Sequence, residues 1–397
     1  MQLPPSEQAK MYEIGKREID AVAKVINGGM MFRYRGGEGG WCDRFEQAFA
    51  EKIGAKYALA VSSGTGALIC ALIAAGVKPA DEVIVPAYTF MATPLAVLGV
   101  GAIPIIADVD ESLALCPNSV EANLSRHTRA IIPVHMSGRP CDMAGLKRIA
   151  ARRKLLIVED ACQAAGGSYR GRRLGSIGNA GGFSFNQFKI ITAGEGGAMV
   201  TNDLTGYDKA LIHHDGGCVF RKHADKVSTP FFAGSNFRIS EITGAILFEQ
   251  LKRLDGILNR LRARRAAMRE ELANAKAFRL SPCNEEAGDC GVSVPVIFET
   301  ARQARVFLDR HGHKKPFWMG SPIDSGRHVY TNWTPILKKH GAFHPSLDAF
   351  RNARRSISYS KDICRASLGI LERTVSLSVP YDATLKEIRS AAGSLVS

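Results

Sequence analysis

Short, unbroken apolar runs alternate with stretches of helical period through the first half of the chain. YALAV (57–61) precedes SGTGALICALIAAG, and EVIVP (82–86) precedes TFMATPLAVLGVG. IPIIAD (103–108), AIIPV (130–134) and LLIVED (155–160) follow in turn. Strands that do not alternate apolar with polar residues are covered on both faces. With helical crossovers between them, they predict a buried, mostly parallel sheet. Ligands of such sheets gather at the carboxyl ends of the strands, where the distinctive residues of this chain also cluster. From Ile239 to Ala273 a long amphipathic pattern predicts a helical connection. Beyond it, VSVPVIF (292–298) and VSLSVP (375–380) are strand candidates with helical segments between them. The expected organisation is an α/β large unit with an N-terminal helix, residues 1–255, and a smaller α+β unit, residues 256–397. A chain of 397 residues is too long for one small core.

Composition narrows the function classes. No run of 18 apolar residues occurs, so no membrane partner is expected. The first twenty residues lack an apolar signal core, which predicts a cytoplasmic protein. Nine cysteines, an odd number with no C-x-x-C pair, are expected to be reduced thiols, with no metal site. The formal charge of +14 raises the question of nucleic acid. Its arginines are spread over RRKLL, RARRAAMRE and RNARR, each beside helical periodicity, as on solvated helix faces. No nucleic-acid partner is expected, and an anionic small substrate is the better reason for a basic surface.

Four local features carry candidate chemistry. SSGTGAL (62–68) lies between a strand and a helix, where open backbone amides favour a phosphate; a plain cap by Ser63 or Thr65 is the structural alternative. IVEDACQ ends a buried strand with Glu159 and Asp160. Asp160 is either a structural carboxylate or one that faces a cationic ring nitrogen, with Gln163 close by. Phe90 is a core residue or a stacking platform. In FSFNQFKIITAGEGG (183–197), Lys189 follows an apolar strand and precedes a glycine-rich turn, as a snorkelling cation or a nucleophile. A cradle, an aromatic, an aspartate and a lysine in this order are the parts needed to bind pyridoxal phosphate.

With these stretches, together with DEVIVPAYTFMAT, VHMSGRPCDM and GSNFRISEITGAILFEQL, the sequence resembles the DegT/DnrJ/EryC1/StrS sugar aminotransferases over most of residues 40–255. The resemblance implies fold type I, an aspartate-aminotransferase-like three-layer α/β/α large domain with a smaller α+β C-terminal domain. It implies pyridoxal 5'-phosphate as cofactor, alternating with pyridoxamine 5'-phosphate. It further implies that Lys189 carries the cofactor and moves protons, and that Asp160 holds the ring nitrogen protonated. Phe90 would stack on the ring. Gly64, Thr65 and Ser184 would hold the phosphate, with Gln163 near the ring oxygen. Asn236 would reach the phosphate in the neighbouring subunit, so the active sites of a homodimer would be shared. Lysine at position 189, where the family's sugar dehydratases carry histidine, implies amino transfer from glutamate or glutamine to a sugar ketone or aldehyde.

FRYR (32–35), NFRISE and RHVYTNW (327–333) resemble the subgroup that aminates an oxidised octulosonate. They make Arg33, Tyr34, Arg35, Arg238 and His328 candidate substrate residues. For Arg33 and Arg35 an exposed loop pair is the equal alternative. FNQFK departs from that subgroup. Nucleotide-linked keto-sugars, keto-cyclitols and the chemistry of aminohydroxybenzoate synthases are the other acceptor readings, and a DNA-binding regulator is the non-enzyme reading.

Overall fold

The computed structural model describes residues 13–34, 39–218, 227 and 229–396. The apolar runs form strands β1 (Tyr57–Val61), β2 (Glu82–Pro86), β3 (Ile103–Ala107), β4 (Thr128–Ile131) and β5 (Leu156–Asp160). A small hairpin, β6 (Ser168–Tyr169) and β7 (Arg172–Arg173), precedes β8 (Ala180–Ser184) and β9 (Gly197–Thr201). Seven of these strands make one sheet in the order β1-β9-β8-β5-β4-β2-β3. The pairs β2–β3, β2–β4, β4–β5 and β5–β8 are parallel, and β9 is antiparallel to both neighbours. Every residue of β2, β3, β8 and β9 is buried, so helices cover both faces. AIIPV is a strand only as far as Ile131. Pro133 has no amide to donate, and its carbonyl accepts from the Asp160 amide at 2.9 Å.

Alternation along β8 sorts its side chains. Phe183 and Phe185 pack edge-on against Phe49 and Phe45 of helix Trp41–Ile53, with ring centroids 4.9 and 5.5 Å apart. Such pairs add about 0.5–1.5 kcal/mol each beyond their buried area. Ser184 between them faces the opposite side, toward helix Gly64–Ala75. That helix sits very close to the sheet: a Cβ on Gly197 would stand 2.4 Å from the Ser63 carbonyl oxygen.

The amphipathic stretch expected to span Ile239–Ala273 is two helices, Glu241–Leu251 and Leu254–Leu272, parted by a turn at Lys252–Arg253. The two pack on different helices while sharing the main core. The first packs on helices Lys16–Asn27 and Trp41–Ile53, the second on helix Leu385–Gly393. At the turn Arg253 pairs with the buried Glu18 at 3.1 Å, which ties the N-terminal helix to the junction. The C-terminal part carries a four-stranded antiparallel sheet of β10 (Arg279–Leu280), β11 (Ser293–Ile297), β12 (Met319–Gly320) and β13 (Thr374–Ser378), ordered β10-β11-β13-β12. Among the described residues no helix is long and apolar enough to cross a membrane.

Candidate active site

The carboxyl edge of the large sheet gathers residues from five separate stretches. After β1, Ser63 caps helix Gly64–Ala75 by accepting from the Gly66 amide at 3.1 Å. The first helical backbone bond runs from the Ala67 amide to the Ser63 carbonyl at 2.9 Å. The Gly64 and Thr65 amides precede it, among the donors that a helix start leaves without acceptors and that favour an anion. Glycine at 64 is a steric requirement. A Cβ there would lie 2.7 Å from the Ser184 Cβ and 3.1 Å from the Cys162 Sγ. The cap reading and the cradle reading are therefore compatible: Ser63 does the capping, and Gly64 keeps the approach open.

Asp160 closes β5 and is buried. Its neighbour Glu159 points the other way, as strand alternation requires. Glu159 accepts from the Gly175, Ile177 and Gly178 amides at 2.6–2.8 Å and faces His135 at 3.1 Å. Glu159 is thus fully engaged in structure. Asp160 instead accepts from the Cys162 amide at 3.1 Å and from the Thr93 hydroxyl at 2.7 Å. Thr93 in turn shares a 2.8 Å hydrogen bond with Thr89, one residue before Phe90. Gln163 accepts from the Ser137 amide at 2.9 Å. Phe90 is 39% exposed, not a core side chain, and its ring leans on His328 with centroids 5.3 Å apart.

Lys189 lies half-buried in the loop between β8 and β9. That loop is closed by backbone bonds from Phe185 to Gly196 and from Gln187 to Gly194, at 2.8 and 3.0 Å. The Lys189 charge acts on two neighbours. Burial pushes the Cys162 thiol well above its ordinary range, with Asp160 adding to the rise and the Lys189 ammonium opposing it. Burial draws the His328 imidazole down, and the Lys189 ammonium lowers it further against the Ser325 carbonyl. Lysine, thiol, carboxylate and imidazole therefore share one site. Among the described residues, no group of three His, Cys, Asp or Glu side chains is placed to hold a metal ion.

His328 reaches this site through the backbone. Residues 327–330 dock on 87–91, with Thr89 donating to the His328 carbonyl at 2.9 Å and Met91 to the Arg327 carbonyl at 3.0 Å. The N-terminal candidates behave differently. Arg33 is neither an exposed loop residue nor a side chain open to a cleft. It is 1% exposed and ion-paired with the buried Glu46, which also accepts from the Ala60 amide at 2.6 Å. Tyr34 donates to both carboxylate oxygens of Asp215 at 2.9 Å, and Arg238 donates to the Asp215 carbonyl at 3.2 Å. Arg35 lies outside the described residues. Asn236 is exposed, and its side-chain oxygen accepts from the Arg238 amide at 3.2 Å.

Thr93 was not among the sequence candidates. Its only local signal is a hydroxyl four residues after that of Thr89, at the start of the helix that follows. Thr93→Val keeps the shape and leaves a buried carboxylate without its hydroxyl donor. It is expected to lower the unfolding free energy by about 1.5–3 kcal/mol, with Thr93→Ser restoring most of it. Urea denaturation measures this, and equal midpoints for the threonine and valine forms would count against the bond.

These residues would suit an anion at the helix start and a cationic ring nitrogen beside Asp160: the cradle admits no side chain, and the carboxylate is buried. The family model for the DegT/DnrJ/EryC1/StrS aminotransferases matches residues 12–315. The L-glutamine:2-deoxy-scyllo-inosose aminotransferase of Streptomyces fradiae is 40% identical over 278 residues, 67% of this chain and 64% of that protein. The GDP-perosamine synthase of Escherichia coli O157:H7 is 39% identical over 227 residues, 57% of this chain and 61% of that protein. The matches thus span less than two thirds of either relative's own length. The crystal structure of 3-amino-5-hydroxybenzoic acid synthase superposes with a TM-score of 0.77 at 26% identity, covering 97% of this chain and 96% of that one. The fold is that of the fold-type I aminotransferases. The chain belongs to the DegT/DnrJ/EryC1/StrS aminotransferase family.

Proposed function

We propose that this protein is a pyridoxal-phosphate-dependent transaminase that moves an amino group from glutamate or glutamine to a keto-sugar or keto-cyclitol. The observation that carries the reading is the meeting of Gly64, Asp160, Phe90 and Lys189 at one sheet edge. When bound, the cofactor supplies an electron-withdrawing ring that lets a C–H bond beside nitrogen release its proton. Gly64, Thr65 and Ser184 would hold its phosphate, and Phe90 would cover its ring. Asp160, oriented by Thr93 and the Cys162 amide, would keep a proton on the ring nitrogen. Gln163 would sit by the ring oxygen. Lys189 would carry the cofactor on Nζ and, once free, take and return the proton at the donor's Cα. The acceptor class follows the relatives, one named for a cyclitol and one for a GDP-sugar. The narrower reading of an acidic octulosonate leaned on arginines. Arg33 is committed to Glu46, so that reading has no support from it. His328, beside Phe90 and Lys189, is the better placed substrate residue.

The test is incubation of the cofactor-loaded protein with glutamate or glutamine and a panel of keto-sugars and keto-cyclitols. Aminated product and loss of the visible band on borohydride treatment support the reading. A protein with no visible band and a steep salt-dependent DNA shift is a regulator instead.

The working form we propose is a homodimer with shared sites, in which Asn236 completes the partner's phosphate site. Its exposed side chain and the exposed Phe231 and Phe232 nearby suit a surface that a second copy covers. Mixing inactive Lys189→Ala chains with inactive Asn236→Asp chains is expected to restore activity, because a mixed dimer has one site with both defects and one with neither. If the chains exchange and no activity returns, Asn236 serves its own chain.

A further inference from the structure

A second cluster of charges lies behind the turn that Gln163 holds. Arg139 follows that turn, and three arginines on helix Leu254–Leu272, Arg262, Arg265 and Arg269, approach it across the seam to loop 281–291. Arg139 and Arg265 are 3% and 5% exposed. Two carboxylates answer them. Asp289, fully buried, stands 3.0 Å from Arg265 Nη2 and 3.8 Å from Arg139 Nε, and its other oxygen accepts from the Gly291 amide at 2.7 Å. Glu286 bridges Arg265 and Arg269 at 2.7 Å each. Arg262 donates from Nε to the Asp289 carbonyl at 2.8 Å. Arg139 spends its Nη donors on the Ser281 hydroxyl and the Pro282 carbonyl at 2.9 and 2.6 Å.

Donors still outnumber acceptors. Arg139 Nε, Arg262 Nη2, Arg265 Nε and Arg269 Nη1 are shielded from solvent without a hydrogen-bond acceptor. Four guanidinium charges face two carboxylates. Burial, and the like charge of Arg265, push the Arg269 guanidinium down from its ordinary value. Buried donors left unmade are costly, and a water would satisfy donors while leaving the surplus charge. A group that only accepts and carries negative charge does both.

We propose that this seam binds a small inorganic anion, a halide or a sulfate-like oxyanion, which staples the C-terminal part to the turn at residues 135–139. The site is separate from the cradle at Gly64. The test is thermal unfolding of the full, cofactor-loaded chain in sodium gluconate, a bulky and weakly binding reference anion. Sodium chloride or sodium sulfate replaces it at constant ionic strength. At least one is expected to raise the unfolding temperature saturably by about 2 °C or more, as a ligand of the native state does. Arg269→Gln, at a partly exposed position that tolerates change, is expected to raise the half-saturating concentration about tenfold. Arg305→Gln, which breaks an exposed ion pair with Asp324, is the control and is expected to leave the curve unchanged. A flat response of the unaltered protein to both anions, or an Arg269→Gln curve that overlays the original, overturns the proposal.

Discussion

A Lys189→Ala chain is expected to lose amino transfer by about ten-thousandfold or more, the upper end of what a positioned proton-transfer group contributes. Lys189 is the amine set among Cys162, Asp160 and His328, and its loss would remove both the cofactor's attachment and the proton carrier. The fold is expected to survive. Lys189 sits half-buried in a loop, while the packing under it comes from Phe183 and Phe185 against Phe49 and Phe45. The check has two parts: turnover with the best donor–acceptor pair, and borohydride fixation of the cofactor's absorbance to the chain. Fixation is expected in the unaltered protein and not in the variant. Near-normal turnover in Lys189→Ala would end the transaminase reading.

Asp160→Asn is expected to cost roughly a hundredfold or more in turnover, the scale of one positioned electrostatic group. The amide keeps the size: its single oxygen can still accept from the Cys162 amide, while its NH2 would donate to the Thr93 hydroxyl, which can accept instead of donating, so the change is chiefly one of charge. Without that charge nothing holds the proton on the ring nitrogen. Cofactor binding is expected to weaken less than turnover, because the phosphate cradle at Gly64 is untouched. Rates and cofactor affinity measured side by side separate the two effects. Turnover like the unaltered protein's would show that Asp160 only terminates its strand.

Much of this site was legible in the sequence, because its parts are local. SSGTGAL marks its own helix start, since Ser63 caps three residues ahead and Gly64 adjoins it. Period-two alternation in LLIVED puts Glu159 and Asp160 on opposite faces, and in FSF it separates Ser184 from the two phenylalanines. Which of the two carboxylates faces the site was not legible from the strand alone. The loop after β7 decided it, by spending three amides on Glu159.

The sequence by itself therefore determined the strands, the order of the chemical parts and the edge of the sheet where they meet. Each is set by residues within a turn or a strand of one another. Tertiary structure alone decided the rest. Thr93 meets Asp160 across 67 positions, and Thr89 receives residues 327–330 from the far end of the chain, which brings His328 onto Phe90. The pairing of Arg33 with Glu46 turned a basic loop residue inward. The seam around Asp289 collects arginines from two parts of the molecule. Partners so distant in sequence leave no periodicity to find. A buried charge accepts whichever counter-charge packing delivers, and packing is fixed only when the whole chain has folded.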